Sequence, residues 1–457
     1  MKRSFTRRRA GILLAATFAA AWATTAVPQT ATAAVTGPPP QASSFDHVLH
    51  WNNVLLKAFR ASVKEKASPG RLARAAAMMN IAMHDANWPA APRTYLPRIT
   101  QQHPDDSIEA TMDAAAHGVL TNVFPGFDFT SALQEATDQI PSWVDPARIE
   151  GGKVDGTKIA NLMIAERSGD EPAFSPTYAL DGVPGSWRPT GADGALDPNL
   201  GQLKPFAMTS GTQFRPPLPA GFTSYDQLLR SPQYAAQVNE VKLLGSGGPT
   251  TPTTRTAAQT QVAHFWANDL DGTYKPPGQL LATSIEISKL KGLKQSENAE
   301  LFNLISMALA DASIVAWDAK YATPIDLWRP QSAVRGADTD NNAATVADPA
   351  WVPLSKNRDG VPFSPPFPAY ISGHATFGGA WAGVMQRWFG HDLTFTVRTE
   401  DPYATVRERT FTSFAAAAEE NARSRVYLGV HYQWDADGGL ESGFNLGEFV
   451  YTTRRDQ

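Results

Sequence analysis

Residues 298 to 319 read NAELFNLISMALADASIVAWDA, and their apolar positions decide the fold class. Leu301, Leu304, Ile305, Ala308, Ala312 and Val315 recur at steps of three and four, the period of a helix face and not of a strand, so the stretch reads as a buried α-helix. Downstream, a second helix begins at Ser372-Gly373-His374, runs through Trp381, Met385 and Trp388 and stops at Gly390; a third covers about 411–424 (FTSFAAAAEENARS). Upstream, 45–170 is helical as well: Leu56, Phe59 and Val63 keep helical spacing, and ARAAAMMNIAMHDA (73–86) is a run of strong helix formers with no strand pattern around it. Between 171 and 252 the composition turns to Pro, Gly and Thr, with GSWRP (185–189) and FRPP (214–217) as punctuated pieces. That segment reads as an extended connection wrapping the surface, interrupted by a short helix over about 231–244. The expected architecture is all-α and bundle-like with long Pro/Gly-rich loops: a helical region over 45–170, the connection over 171–252, and a second helical region over 253–457. No repeat of fixed period is visible in the sequence.

Composition narrows the chemistry. The 457 residues are 42% hydrophobic and 18% charged, which suits a packed globular chain and not a disordered one. The absence of Cys excludes a disulfide scaffold, a thiolate nucleophile, a Cys-ligated zinc and an iron–sulfur cluster, so any metal must be held by His, carboxylate or backbone. Lys2, Arg3 and Arg7 to Arg9, an apolar stretch over 11–27 and Ala31-Thr32-Ala33 read as a secretory signal over 1–33, with the Sec and twin-arginine routes both open. The mature chain is then expected to be soluble, secreted and free of the membrane. Losing five basic residues with the signal leaves 35 against 44 acidic ones, which is no nucleic-acid-binding surface. An anionic ligand must therefore be drawn by a local cluster of cations.

Such a cluster is written in three short segments of the C-terminal half. The first is Trp317-Asp318-Ala319-Lys320 with Arg329-Pro330 beyond it; the second is PFPAYISGH (366–374); the third is SRVYLGVH (424–431), with Asp435 four residues on. If they converge, Lys320, Arg329 and Arg425 bring three positive charges, Ser372 a hydroxyl, Gly373 an unobstructed N–H at a helix N-terminus, and His374 and His431 two imidazoles. That is a cage for a tetrahedral oxyanion, since guanidinium forks and helix N-termini both match its oxygens. One imidazole can bond to the central atom while the other handles protons, and Asp435, at i+4 from His431, can hold the far ring N–H.

These segments resemble the signature of the vanadium-dependent haloperoxidase and type-2 phosphatidic acid phosphatase superfamily: a Lys followed by Arg-Pro, then Ser-Gly-His, then Ser-Arg-x-x-x-Gly-x-His-x-x-x-Asp. The third element matches at Ser424, Arg425, Gly429, His431 and Asp435. RAAAMMNIAMHDA (74–86), GSWRPT (185–190) and FWANDLDGTYKPPGQ (265–279) look like secreted bacterial members of the haloperoxidase branch. The resemblance implies two four-helix-bundle-like units and a vanadate (vanadium(V)) cofactor. Its oxygens would be held by Lys320, Arg329, Ser372, the Gly373 N–H and Arg425, with His431 as the nitrogen ligand to vanadium, Asp435 behind it and His374 as general acid/base. It implies hydrogen peroxide, a halide and a small organic acceptor as partners, hypohalous acid as product, Lys320 polarising the bound peroxide, and Trp317 and Phe367 lining the halide site. The same residues also suit a secreted acid phosphatase in which His431 forms a phosphohistidine and His374 protonates the leaving group, or a non-enzymatic oxyanion-binding protein.

Two departures from the pattern stand out. Eight residues separate Lys320 from Arg329, two more than the family usually has, and nine steps along an unbroken helix would turn the two side chains about 180° apart. Thr323-Pro324 should break such a helix and let a bulge restore convergence. Ile371 stands where the commonest motif has Pro. Elsewhere, His84-Asp85 reads as structural, Asp338, Asp340 and Asn341 as a solvated turn more than a calcium loop, and Asn268, Asp269 and Asp271 beside Trp266 as facing the site entrance by analogy with relatives.

Overall fold

Helix starts follow the capping chemistry of the sequence. Asp46 caps α1 (His47–Ala61), Ser68 caps α2 (Pro69–Ala86), Ser107 caps α3 (Ile108–Val123) and, after α4 (Thr130–Thr137), Asp145 caps α5 (Pro146–Glu166). Each cap side chain accepts a first-turn N–H, and Pro69 and Pro146 sit where no intrahelical N–H is needed. Two short helices, α6 (Tyr225–Leu229) and α7 (Pro232–Leu244), interrupt the connection; α8 (Ala257–Phe265), α9 (Lys275–Lys291), α10 (Gln295–Tyr321) and α11 (Pro330–Arg335) follow. The chain ends with α12 (Gly373–Phe389), an antiparallel hairpin of β1 (Asp392–Arg398) and β2 (Glu408–Ser413), α13 (Phe414–Tyr427) and α14 (Gln433–Arg455). The computed structural model describes residues 45–87, 93–96 and 105–455; the expected signal over 1–33 lies outside the described residues.

The helices form two bundles that share a wall. α1, α2, α3 and α5 pack as the first, α10, α12, α13 and α14 as the second, and α10 lies against both α2 and α12. That position explains its sequence: α10 is long and apolar enough to cross a membrane by length and composition, yet almost its entire circumference is buried in protein. Its one acidic residue at mid-length, Asp311, is fully buried and accepts the backbone N–H groups of Phe206, Ala207 and Met208 at 2.7–2.8 Å. The connection over 171–252 is thus pinned into the core, with Trp187, Leu200 and Phe206 buried, and does more than wrap the surface.

α12 and α14 approach backbone to backbone. A Cβ at Gly439 would lie 2.7 Å from the Ser372 carbonyl oxygen, and one at Gly383 2.6 Å from that of Phe444; Gly443 and Gly447 meet the carbonyls of Thr376 and Ala380 still more closely. The same device joins α3 to α5, where Gly152 and Gly156 face the carbonyls of Ser107 and Thr111. Even the flanking bond repeats: the Ser372 N–H donates to the Asp435 carbonyl at 2.9 Å and the Ser107 N–H to that of Arg148 at 3.0 Å. The two bundles therefore carry one helix-pairing element twice, with side chains so different that no sequence period shows it.

Other local expectations change on contact with the fold. The helix expected from Phe411 starts instead at Phe414, capped by Ser413, because Phe411 belongs to β2, opposite Phe395 with the rings 6.1 Å apart. Asp340 is buried and not solvated: it accepts the Thr345 hydroxyl at 2.7 Å and the Asn342 N–H at 2.8 Å, closing its own turn, and no cluster of three metal-ligating side chains exists among the described residues. Asp85 is structural, accepting the N–H groups of Tyr95 and Leu96 at 3.0 and 2.9 Å.

Candidate active site

The seam of glycines sets the N-termini of α12 and α14 side by side, and everything else is brought to that point. Ser372 caps α12, so Gly373 and His374 form its first turn, where N–H groups lack intrahelical partners. Between α13 and α14 the chain reverses at Gly429 (φ 80°), a conformation that favours glycine, and a Cβ there would collide with the Gly245 carbonyl. This reversal places His431 back beside Arg425, in the last turn of α13. Lys320 arrives at the end of α10; the helix stops at Tyr321, just ahead of Thr323-Pro324, and the longer connection delivers Arg329 as the residue preceding α11. Lys320, Arg329, Ser372, His374, Arg425, His431 and Asp435 are all buried.

The hydrogen bonds define what each group can still do. His431 Nδ1 is 2.9 Å from Asp435 Oδ2, an oxygen that also accepts the Tyr432 N–H at 3.0 Å, so the i+4 relation holds although His431 lies just before the helix and not within it. With the proton assigned to Nδ1 by this partner, Nε2 presents its lone pair, and Arg329 Nη1 donates to it at 3.0 Å. Arg329 also donates to the carbonyls of Phe367 (2.7 Å) and Val430 (2.6 Å), leaving Nη2 buried without a partner. Arg425 donates through Nη2 to Asp269 Oδ2 at 2.7 Å, while its Nε and Nη1 are buried and unpartnered. His374 Nε2 meets the Ala267 carbonyl at 2.9 Å and stands 3.8 Å from Asp269 Oδ1.

Lys320 is the point of difference from expectation. It reaches the site, but its ammonium faces the carbonyls of Pro368, Ala369 and Ile371, three acceptors for three protons, so no N–H is left over for an oxyanion. Trp317 and Phe367 do pair, ring centres 4.9 Å apart, and Phe367 carries Lys320 Nζ at 5.1 Å and Arg329 Cζ at 4.8 Å over its ring. The Trp317 indole donates to the Leu196 carbonyl at 3.1 Å, again from the wrapping connection. Of the entrance residues, Asp269 belongs to the site through Arg425; Asp271 pairs with Lys275, and buried Asn268 braces the loop by donating to Gln279. The Ala267 carbonyl was not legible beforehand, since a backbone acceptor leaves no mark in side-chain chemistry.

Crowding cations away from water has a cost that shows in their acidity. Burial draws Arg329 down to about 9, with Asp435 opposing and Arg425 adding to the effect. Burial and then Arg425 pull His374 down to about 4; burial, Arg329 and Lys320 hold His431 well below its usual value. Burial lifts the Asp435 carboxyl to about 7, and burial with Arg329 nearby lowers Lys320. Every cationic group here would be relieved by a neighbouring anion. Three guanidinium nitrogens without partners, a helix N-terminus and an imidazole lone pair are the donor set a tetrahedral oxyanion such as vanadate requires, so the residues present fit that group.

The chain is similar to known proteins along most of its length. Residues 300–457 match the family described as the VCPO second helical-bundle domain. The chain is 27% identical over 500 aligned positions to the vanadium chloroperoxidase of Curvularia inaequalis, covering 87% of this chain and 80% of that protein. Among solved structures it is similar to a bacterial vanadium-dependent iodoperoxidase (TM-score 0.70, 23% identity, 89% of this chain and 95% of that one). It is also similar to the apo form of a bacterial vanadium-dependent chloroperoxidase (TM-score 0.67, 14% identity, 87% and 96%). The second bundle thus matches the VCPO second helical-bundle domain, and along most of its length the chain is similar in sequence to a vanadium chloroperoxidase and in fold to bacterial vanadium-dependent haloperoxidases.

Proposed function

We propose that the protein is an exported vanadate-dependent haloperoxidase that uses hydrogen peroxide to oxidise halide to hypohalous acid, which then halogenates a small organic acceptor. The observation that carries the reading is the set of unpartnered, buried N–H groups on Arg329 and Arg425 facing an imidazole whose Nδ1 is fixed by Asp435. Arg329, Arg425, the Ser372 hydroxyl and the Gly373 N–H would hold the oxygens of vanadate, and His431 Nε2 would be the nitrogen ligand. When bound, vanadium(V) supplies a Lewis acid that activates hydrogen peroxide without a change in oxidation state. Lys320 acts through its charge and by fastening the 368–371 turn against the cage. With Nε2 on the Ala267 carbonyl, His374 offers Nδ1 for proton transfer and is neutral above about pH 4. Trp317 and Phe367, the latter under two cations, form the side on which a halide is favoured.

An anion in the cage removes part of the repulsion that depresses His374, so its pKa should rise from about 4 when orthovanadate binds. Binding then takes up protons in the window between about 4 and the raised value. Calorimetry in buffers of different ionisation enthalpy near pH 5–6 should show more proton uptake for the wild type than for His374→Ala, and equal proton balances would mean that His374 does not face the anion.

Nothing in the donor set distinguishes vanadium from phosphorus, and the unprotonated Nε2 of His431, which only Arg329 Nη1 contacts, is equally suited to be a nucleophile, which keeps phosphoryl transfer as the second reading. A paired assay separates the two: bromination of monochlorodimedone with peroxide, and hydrolysis of p-nitrophenyl phosphate, each with and without orthovanadate. Vanadate-dependent bromination is the expected result. Phosphatase activity inhibited by vanadate, with no bromination, would overturn it while keeping the cage.

A further inference from the structure

A cavity of about 610 Å³ opens in the first bundle, where the C-terminal ends of α1, α3 and α5 meet the start of α2. None of its lining residues belongs to the segments that build the cage. Its bed is apolar: Leu72, Met78, Phe124, Phe127, Ile164 and Phe174. Its volume is that of a pocket for a small organic molecule, roughly 300–1,000 Å³.

The polar side is a set of arginines with donors to spare. Arg71 and Arg74 lie one turn apart on α2, hence on one face, and Arg167 closes α5. Arg71 pairs with buried Asp197 at 2.9 Å; Arg74 and Arg167 share buried Asp170 at 2.6 and 2.8 Å. Arg71 and Arg74 thus line the cavity with Asp197 and Asp170 behind them, and the exposed rim adds Lys66 and Glu171, the latter acting on Arg74. Arg71 Cζ stands 4.2 Å and Arg74 Cζ 5.8 Å from the centre of the Phe174 ring, so the cationic ends sit directly on the apolar bed. Arg71 and Arg74 spend Nε and Nη2 on Asp197, Asp170 and the carbonyls of Phe174 and Arg167, and among the described residues neither Nη1 has a partner. The fully buried Arg167 likewise has an unpartnered Nη1.

We propose that this cavity binds an amphipathic organic monoanion, its aromatic or alkyl body on the Phe124–Phe127–Phe174 bed and its carboxylate on the Nη1 ends of Arg71 and Arg74. The apolar bed supplies affinity by excluding water, and the unused Nη1 donors of two guanidinium groups select a carboxylate over its neutral analogue. The site is independent of the oxyanion chemistry of the second bundle.

The test is calorimetric titration of the full chain with 4-phenylbutyrate and with 4-phenylbutanol, each repeated in saturating orthovanadate. The acid should bind once per chain, at least tenfold tighter than the alcohol, and unchanged by orthovanadate. Ala61→Trp, at an exposed position on the rim, should abolish binding without moving the unfolding midpoint, and Arg71→Gln should bring the acid down to the level of the alcohol. Equal affinity for acid and alcohol, no saturation at millimolar concentration, or full binding by Ala61→Trp would each overturn the proposal. Displacement by orthovanadate would place the acid in the cage and overturn it as well.

Discussion

Replacing Arg425 by alanine should weaken orthovanadate binding by about 2–5 kcal/mol, on the order of thirty- to several-thousand-fold in Kd. The side chain is buried, two of its three nitrogens have no protein partner, and the third is tied to Asp269. Alanine therefore removes donors that only a ligand can satisfy. It also leaves the Asp269 carboxylate, which Arg425 and His374 hold below its ordinary pKa against the effect of burial, at the mouth of the cage as an uncompensated negative charge. Both consequences oppose an incoming anion. Lysine at the same position keeps the charge but loses the fork, and should recover only part of the affinity. Calorimetry at fixed pH measures both variants, and a loss below tenfold for Arg425→Ala would remove Arg425 from the binding set.

The second large effect is predicted at a residue that touches no ligand. Gly443→Val should destabilise the fold by about 3 kcal/mol or more, because its Cβ would overlap the Thr376 carbonyl oxygen and lie 2.9 Å from the Ala380 N–H nitrogen. Both neighbours are helix backbone and cannot rotate away. The only relief is separation of α12 from α14, which pulls the Ser372 N–H from the Asp435 carbonyl and shifts the start of α12 against the start of α14. Denaturant unfolding should therefore show a lower midpoint, and the folded fraction should bind orthovanadate more weakly. Gly194→Ala, at a glycine with open space around it, is the control expected to be silent. Wild-type stability in Gly443→Val would mean that the helices have more clearance than this packing allows.

Much of this was readable in advance, and the reasons are physical. Helices α10 and α12 follow from apolar period and from a Ser cap and Gly stop that coincide with the residues found, Ser372 and Gly390. The candidate site residues stand out because cations, imidazoles and Ser-Gly are rare in so apolar a context, and the fold buries them around the junction of α12 and α14. What escaped was interaction that depends on backbone or on distant chain. The hairpin hides Phe411 inside an alanine-rich helical run, the Ala267 carbonyl has no side-chain signal, and Lys320 looked like an anion ligand until three carbonyls were found around its ammonium. The glycine seam is not legible in the sequence, because a glycine in a helix reads as a cost of about 1 kcal/mol unless the partner backbone is known.

The shared wall between the bundles sets a limit on dissection. A fragment cut to contain every cage residue must begin with α10, and it would expose to water the face of that helix now covered by α2, including Asp311 stripped of the Phe206, Ala207 and Met208 amides. Such a fragment would present a long greasy ridge with a carboxylate in its middle, a surface prone to self-association. Recombinant libraries and chimeras of this protein should therefore exchange loops around the intact α2–α10–α12 spine and never split the chain along it.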